Sequence, residues 1–330
     1  MNENLKMILT AALVVVAFVA GFGVSMALPS EPEADIKYGG QYYPGEFLLY
    51  GRPEFWSRYD LTVEHILFSS GAENNEALIS GQIDINCGSD SKTIAVFNAI
   101  PDDALIIGTV QRKDRYTTIV RVDSEYDSWA DLVGKKVGTR FGTGAEQVLK
   151  RYFDQTEYSW TDFEWINVKV ENMISALEAE QIEAFTAWEP TPAIAEAQGV
   201  GKVLMSYGEV AMVPASIHTT KDFAYQHPAL VISFLSAQLD KAKMIKEDPQ
   251  GAAQIASEAA AKKGIDVSSE AFEKVYGRID FQIEFDEAII DEIRATAQFL
   301  KDAGDIEEVP QFAWDTSFIE AAKQLQKIQG

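Results

Sequence analysis

The sequence predicts an α/β protein made of two similar lobes, and an internal repeat carries most of that prediction. Ala77-Leu78-Ile79-Ser80-Gly81-Gln82-Ile83-Asp84 returns 99 residues later as Ala176-Leu177-Glu178-Ala179-Glu180-Gln181-Ile182-Glu183. At the same offset Lys37, Gly39, Gly45 and Arg52 are matched by Lys136, Gly138, Gly144 and Arg151. One register held over roughly 50 residues without an insertion points to two βαβ-type units in one chain. A second observation is the alternation of β-rich runs with helical patterns over residues 36–218, which implies parallel sheets. The third is the change after Thr219 to helical patterns alone, which reads as a helical appendix.

The first unit is predicted to begin with a strand at Ile36–Gly39, a loop at 40–44 and a helix from Gly45 to Arg58. Leu61–Phe68 alternates and is β-rich, so it reads as a strand. Ser69-Ser70-Gly71 stops that strand and supplies hydroxyls for the N-terminus of a helix at Glu73–Ser80. Gln82–Asn86 is the next strand, followed by Gly88-Ser89-Asp90-Ser91 and a helix to Ala99. Leu105–Val110 and Thr117–Val122 read as strands. The second unit runs in step: strand Lys136–Thr139, loop Phe141-Gly142-Thr143-Gly144, helix Ala145–Phe153, strand Trp165–Val168, helix Asn172–Glu180 and strand Ile182–Ala187. Trp188-Glu189-Pro190 opens a further helix, where proline costs nothing because an early helical N–H lacks a partner anyway. Helices are predicted for His227–Lys246, Pro249–Lys263, Ser268–Val275, Asp286–Ala303 and Thr316–Ile328, punctuated by Asp248-Pro249, Gly264, Gly304 and Pro310.

Composition narrows the function classes. The 330 residues are 47% hydrophobic, enough to build two lobes with a sizeable core. Asp plus Glu number 51 against 28 Lys plus Arg, a net charge of −23 that repels phosphate backbones and argues against nucleic acid as a partner. Cys87 is the only cysteine and there are three histidines, so neither a disulfide framework nor a zinc centre is expected. No Ser–His–Asp set or carboxylate pair stands out, and no cofactor is expected. The N-terminus carries an address: Met7 to Leu28 is an apolar run preceded by Lys6 and followed by a Pro- and Glu-rich tether at 29–35. Its length suits an uncleaved membrane anchor, while Ser25-Met26-Ala27 resembles a cleavage site for a signal peptide. Either reading places the folded part outside the cytoplasm, at the cell surface or in a periplasm.

Ligands of open parallel sheets sit beyond the carboxyl ends of the strands, where loops enter helix N-termini. Five such loops converge here: Gly40–Gly45, Ser69–Gly71, Gly88–Ser91, Arg140–Gly144 and Trp188–Pro190. Their Ser, Thr and Gly residues suit an anionic ligand end held by backbone N–H groups, with ordinary helix capping as the competing reading. Gly142-Thr143-Gly144 resembles part of a phosphate cradle but lacks the full P-loop pattern. Arg140 is placed to pair with a carboxylate, sulfonate or phosphate. Trp188 and Glu189 together offer an aromatic face and a carboxylate for a cationic group such as an amine. Asp90 occupies the corresponding corner of the first unit. Tyr42, Tyr43 and Tyr116 read equally well as cleft aromatics or packing aromatics, and His65 as a core histidine.

At Trp188-Glu189-Pro190 the chain resembles a known family. It is similar to extracytoplasmic solute-binding proteins of the nitrate, sulfonate, taurine and thiamine-precursor group of ABC importers. The resemblance covers about residues 35–260. Its signposts are Lys37–Gln41, Gly71-Ala72-Glu73 with Leu78–Asp84, Asp131–Val137, Gly142-Thr143-Gly144, Ala187–Pro190, Lys221-Asp222-Phe223 and His227-Pro228. The resemblance implies a type II periplasmic-binding-protein fold with two crossover segments, lobe one at 36–116 and 217–330, and lobe two at 117–216. Family cleft positions fall on Gln41, Ser70, Ser89, Asp90, Thr143, Gly144, Trp188 and Glu189. In taurine-type members the acid of the Trp-Glu-Pro corner meets the ligand amine, and Glu189 matches it. Arg140 stands where many members have proline and Asp90 where many have Ser or Thr, which argues against a simple inorganic oxyanion.

The expectation is therefore a monomeric, non-catalytic receptor that traps a small organic solute by hinge closure and presents it to ABC permease subunits. A zwitterion of the aminosulfonate class fits best, with its amine near Glu189 and Asp90. Two alternatives stay open. One is an enzyme resembling the pyrimidine synthases of thiamine biosynthesis, which use a Cys-rich motif. The other is the ligand-binding component of a sensory system.

Overall fold

The computed structural model describes residues 34–68 and 70–329; the apolar segment at 1–28 and residues 29–33 of the tether lie outside the described residues. The strands are β1 (Ile36–Gln41), β2 (Val63–Phe68), β3 (Ile85–Ser89), β4 (Ala104–Gln111), β5 (Tyr116–Arg121), β6 (Lys136–Thr139), β7 (Glu164–Asn167), β8 (Ala184–Trp188), β9 (Gly201–Ser206) and β10 (Ala215–Thr220). They form two five-stranded sheets in the orders β2-β1-β3-β10-β4 and β7-β6-β8-β5-β9. Helices flank both sheets, which gives the two-lobed α/β architecture.

The sequence repeat is a structural repeat. Tyr38 and Gly39 of β1 face Ile85 and Asn86 of β3, and Val137 and Gly138 of β6 face Ala184 and Phe185 of β8. The backbone bond from Asp84 N to Lys37 O (2.9 Å) recurs from Glu183 N to Lys136 O (2.8 Å). Even the left-handed residue that ends the connecting helix recurs, as Gly81 (φ 72°) and Glu180 (φ 55°). The paired glycines have a packing reason: a Cβ on Gly39 would lie 2.5 Å from Ile83 Cδ1, and one on Gly138 would lie 2.8 Å from Ile182 Cδ1. The next strand's isoleucine lies on bare backbone in both copies.

Three expectations are corrected. The repeat does contain an insertion: Lys37 faces Glu64 but Lys136 faces Glu164, so the second copy gains a residue before β7 and loses one after it. The sheets are mixed rather than parallel. β10 runs antiparallel to β3 and β4, and β5 antiparallel to β8 and β9. The cause is connectivity. The chain passes from β4 straight into β5 through residues 112–115, and returns from β9 to β10 through 207–214, so neither strand follows the helical crossover that a parallel neighbour needs. The single helix expected from Gly45 to Arg58 is two, Pro44–Gly51 and Glu54–Ser57, separated at Arg52-Pro53. β9, the greater part of β10 and the helix Lys221–Gln226 were not anticipated.

The tail helices complete the first lobe's core. Phe234 of Pro228–Glu247 stacks on Trp56 with centroids 5.3 Å apart and meets Tyr38 edge-on at 4.8 Å. His65 is the packed core histidine expected, its ring 4.9 Å from that of Tyr38. Beside it lies a fully buried ion pair, Glu46 and Lys241, with Nζ 3.7 Å from Oε1, and His65 Nε2 is 3.4 Å from Oε2. Burial pushes the Glu46 carboxyl up, but the Lys241 ammonium and His65 outweigh it and hold it below the usual range. Such a pair tolerates joint replacement far better than loss of one member. Lys241→Met is therefore expected to cost about 3–5 kcal/mol in denaturant unfolding, and Glu46→Met/Lys241→Met to recover most of that loss.

Candidate functional site

The carboxyl ends of β1, β3 and β8 and the turns that follow them face one another across the two sheets. A cavity of about 250 Å³ lies between them. Gln41, Ser89, Ser91 and Lys92 line it from the first sheet's side, and Gly142, Thr143, Gly144 and Trp188 from the second. Tyr42 and Tyr43 close one wall, while Arg115 and Tyr116 enter from the first crossover. Trp188 is the register partner of Tyr116 in the β5–β8 pair, so the two aromatics reach the cavity together.

Three helices begin at this cavity: Gly71–Ile79, Asp90–Ala99 and Gly144–Phe153. Their N-cap side chains separate the capping reading from the ligand reading. Ser70 Oγ accepts from Ala72 N at 3.2 Å, an ordinary cap. Ser89 and Thr143 do not cap their helices. Ser89 Oγ bonds Ser91 Oγ at 3.2 Å, and Thr143 Oγ1 donates to Arg140 O at 2.6 Å. Two positive helix ends thus open on the cavity without an acceptor from their N-cap residues, the setting that favours a bound anion. Gly144 is required there, since a Cβ would run into the Tyr116 hydroxyl.

The strongest charge at the cavity is Arg115. Its residue is 3% exposed, and Nη1 donates to Val213 O at 2.7 Å in the second crossover. The guanidinium sits 5.3 Å from the Tyr43 ring centroid and 5.8 Å from that of Tyr116. Its Nε is buried and has no hydrogen-bond partner. Among the described residues no carboxylate makes a direct ion pair with Arg115 or with the half-buried Lys92, although the buried Asp90 acts on Arg115 through space. Burial pushes the Tyr43 hydroxyl up and the Tyr116 hydroxyl up to about 12, with Arg115 opposing both shifts, so both remain neutral donors.

Of the residues expected from sequence, Gln41, Ser89, Thr143, Gly144 and Trp188 line the cavity; Ser70, Asp90, Arg140 and Glu189 do not. The pairing of a ligand amine with Glu189 and Asp90 does not fit their placement. Glu189 is buried against the Arg278 guanidinium, which also holds Glu196, and its Oε2 accepts from Ala193 N at 3.1 Å. Asp90 accepts from Thr296 Oγ1 and from Ser91 N, both at 2.8 Å. Arg140 Nη1 turns to Asn167 Oδ1 at 3.3 Å. Arg115 and Lys92 were missed. Arg112-Lys113-Asp114-Arg115 has the look of a solvated turn, yet only four residues separate the buried strands β4 and β5. That brevity was the available signal.

Other reactive groups are packed away. Cys87 is fully buried, and burial pushes its thiol up. His218 bonds Asn86 Oδ1 and Thr93 Oγ1, both at 2.8 Å, and burial pushes it down to about 3, so it is neutral. Among the described residues, no group of three or more His, Cys, Asp or Glu is placed to hold a metal ion.

Comparison with known proteins agrees with this geometry. The family described as NMT1/THI5 like matches residues 54–252. An Escherichia coli (strain K12) protein named "Putative aliphatic sulfonates-binding protein" is 25% identical over 239 residues, 72% of each chain. The crystal structure of the periplasmic aliphatic sulphonate binding protein of Escherichia coli matches with a TM-score of 0.72 at 19% identity, covering 85% of this chain and 90% of that one. A desulfurization enzyme, DSZB, shares the fold at a TM-score of 0.65 and 14% identity, with 88% and 99% covered. The fold is therefore that of the periplasmic binding proteins, with a C-terminal helical extension.

The Glu189 geometry makes a pH prediction. Burial pushes its carboxyl from 4.5 up to about 7, with Arg278 opposing the shift. The folded state then holds this proton more tightly than the unfolded state, so its contribution is full below 4.5 and is lost as pH rises through about 7. Glu189→Gln is expected to flatten the dependence of the melting midpoint on pH across that window and to leave ligand affinity unchanged, as measured by thermal melts and titration calorimetry.

Proposed function

Because this chain belongs to the NMT1/THI5-like family, we propose that it binds a small organic anion between its lobes and delivers it to an ABC importer at the outer face of the membrane. The observation that carries this reading is Arg115, a buried guanidinium with a free Nε at the wall of a cavity that no acid lines. Arg115 meets a carbonyl, two tyrosine faces and the buried Asp90 through space but no carboxylate in contact, and a ligand anion would fill that place. A sulfonate fits the remaining donors: the Ser89 and Ser91 hydroxyls, backbone N–H groups at the two helix starts that Ser89 and Thr143 leave uncapped, and two neutral tyrosines. The aliphatic-sulfonate name of the Escherichia coli relative supports that class. An apolar tail would lie on Tyr42 and Trp188. Were the ligand an aminosulfonate such as taurine, its amine would meet those aromatic faces instead of a carboxylate.

The two crossovers serve as the hinge. They are joined by Lys113 N to Met212 O at 2.6 Å and by Arg115 to Val213, so an anion held by Arg115 sits where the lobes pivot. Binding without catalysis is favoured by the burial of Cys87, which leaves its thiol neither ionised nor accessible. The protein's net charge of −23 opposes anion entry at long range, but salt screens that field over about 8 Å, whereas the cavity cations act at contact.

A thermal-shift panel of alkanesulfonates, aminosulfonates, nitrate and vitamin precursors on the full chain tests the reading. A ligand at a hundredfold excess over its Kd adds about 2.7 kcal/mol of stability. Arg115→Gln is expected to abolish the shift, and the ligand-free midpoint, measured alongside, reports separately the loss of the Val213 bond. No shift from any anion on the parent protein would overturn the proposal.

A further inference from the structure

Resting on the anion-cavity reading, we propose that the natural ligand carries two anionic groups, such as a sulfonate and a carboxylate on a short aliphatic chain. Two cations line the cavity, Arg115 and Lys92, and no carboxylate lines it. Elsewhere the buried cations are matched, Arg112 with Asp280 and Glu284 and Lys241 with Glu46, as are the half-buried Arg151 with Glu292 and Arg278 with Glu189 and Glu196, whereas the half-buried Arg52, Arg140 and Lys221 meet neutral acceptors. In a chain with 51 acids against 28 bases, a cavity lined by two cations and no acid stands apart.

Lys92 is also placed against local physics. It is the third residue of the helix Asp90–Ala99, in the first turn, where the helix dipole disfavours a cation. Asp90 in the same turn offsets part of that cost, and a ligand anion at the cavity would offset the rest. A monoanion at Arg115 leaves Lys92 uncompensated in a partly desolvated wall. A zwitterion is worse served, because its ammonium would meet two cations and no acid. Of the acids at the adjoining corners, Glu189 is bonded to Arg278, and Asp90, bonded to Thr296, acts on Arg115 through space without lining the cavity. A second anionic group completes both charges at once.

The test is titration calorimetry of the full chain at pH 7 and fixed ionic strength with three probes of one length: 3-sulfopropanoate, propane-1-sulfonate and taurine. Their tails end in a carboxylate, a methyl and an ammonium. The proposal expects 3-sulfopropanoate to bind about tenfold tighter than propane-1-sulfonate, or more, with taurine weakest. Lys92→Gln should close the gap between the first two, and raising the salt concentration should narrow it. Taurine or propane-1-sulfonate binding as tightly as the dianion would overturn this inference and leave the anion cavity standing. Absence of binding by all three would overturn both.

Discussion

A single guanidinium organises the functional half of this molecule. Arg115 stands in the four-residue crossover between the sheets, donates to Val213 in the returning crossover, and lies against Tyr43 from one lobe and Tyr116 at the start of the other. Its own carbonyl accepts from Glu189 N at 2.9 Å, which ties the Trp188-Glu189-Pro190 corner to the same point. In the proposed mechanism, movement of one sheet relative to the other pivots around this residue. Its unpaired Nε makes the pivot sensitive to charge in the cavity. The proposal thus puts hinge position and recognition chemistry in one side chain.

Around that point the chain repeats itself where it must and diverges where it can. β1–β3 and β6–β8 share inner-strand register, a left-handed helix end and a bare glycine under an isoleucine. These features are dictated by packing one βαβ unit, so both copies keep them. The corners differ. The first copy places Ser89 and Lys92 at the cavity, and the second Thr143, Gly144 and Trp188. Acids that would spoil an anion site are engaged elsewhere. Arg278 gathers Glu189 and Glu196, and Arg151 takes Glu292, so elements of the second sheet are held to the C-terminal helices by ion pairs outside the cavity.

Much of the scaffold was legible because it rests on local signals: strand alternation, helix-breaking prolines, and a repeat visible through eight consecutive positions. The direction of β5 and β10 was not legible, because antiparallel pairing there follows from how the chain passes between lobes and not from residue pattern. At the candidate site, glycines and hydroxyls at strand ends pointed to Ser89, Thr143 and Gly144, which line the cavity. Charged residues misled in both directions. Glu189 and Asp90 looked available in sequence, but partners more than 80 residues away, Arg278 and Thr296, occupy them. Arg115 stands in a run of four charged residues that drew no attention in sequence, yet is buried. Which charges are matched is a tertiary property, and sequence spacing does not encode it.

A crystal structure with bound ligand would test the central claim most directly. The account predicts an anionic oxygen of the ligand within about 3.2 Å of Arg115 Nε, with the Val213 bond retained and Glu189 still on Arg278. A ligand seated away from Arg115, or an Arg115 Nε bonded to a protein acceptor in the complex, would contradict it.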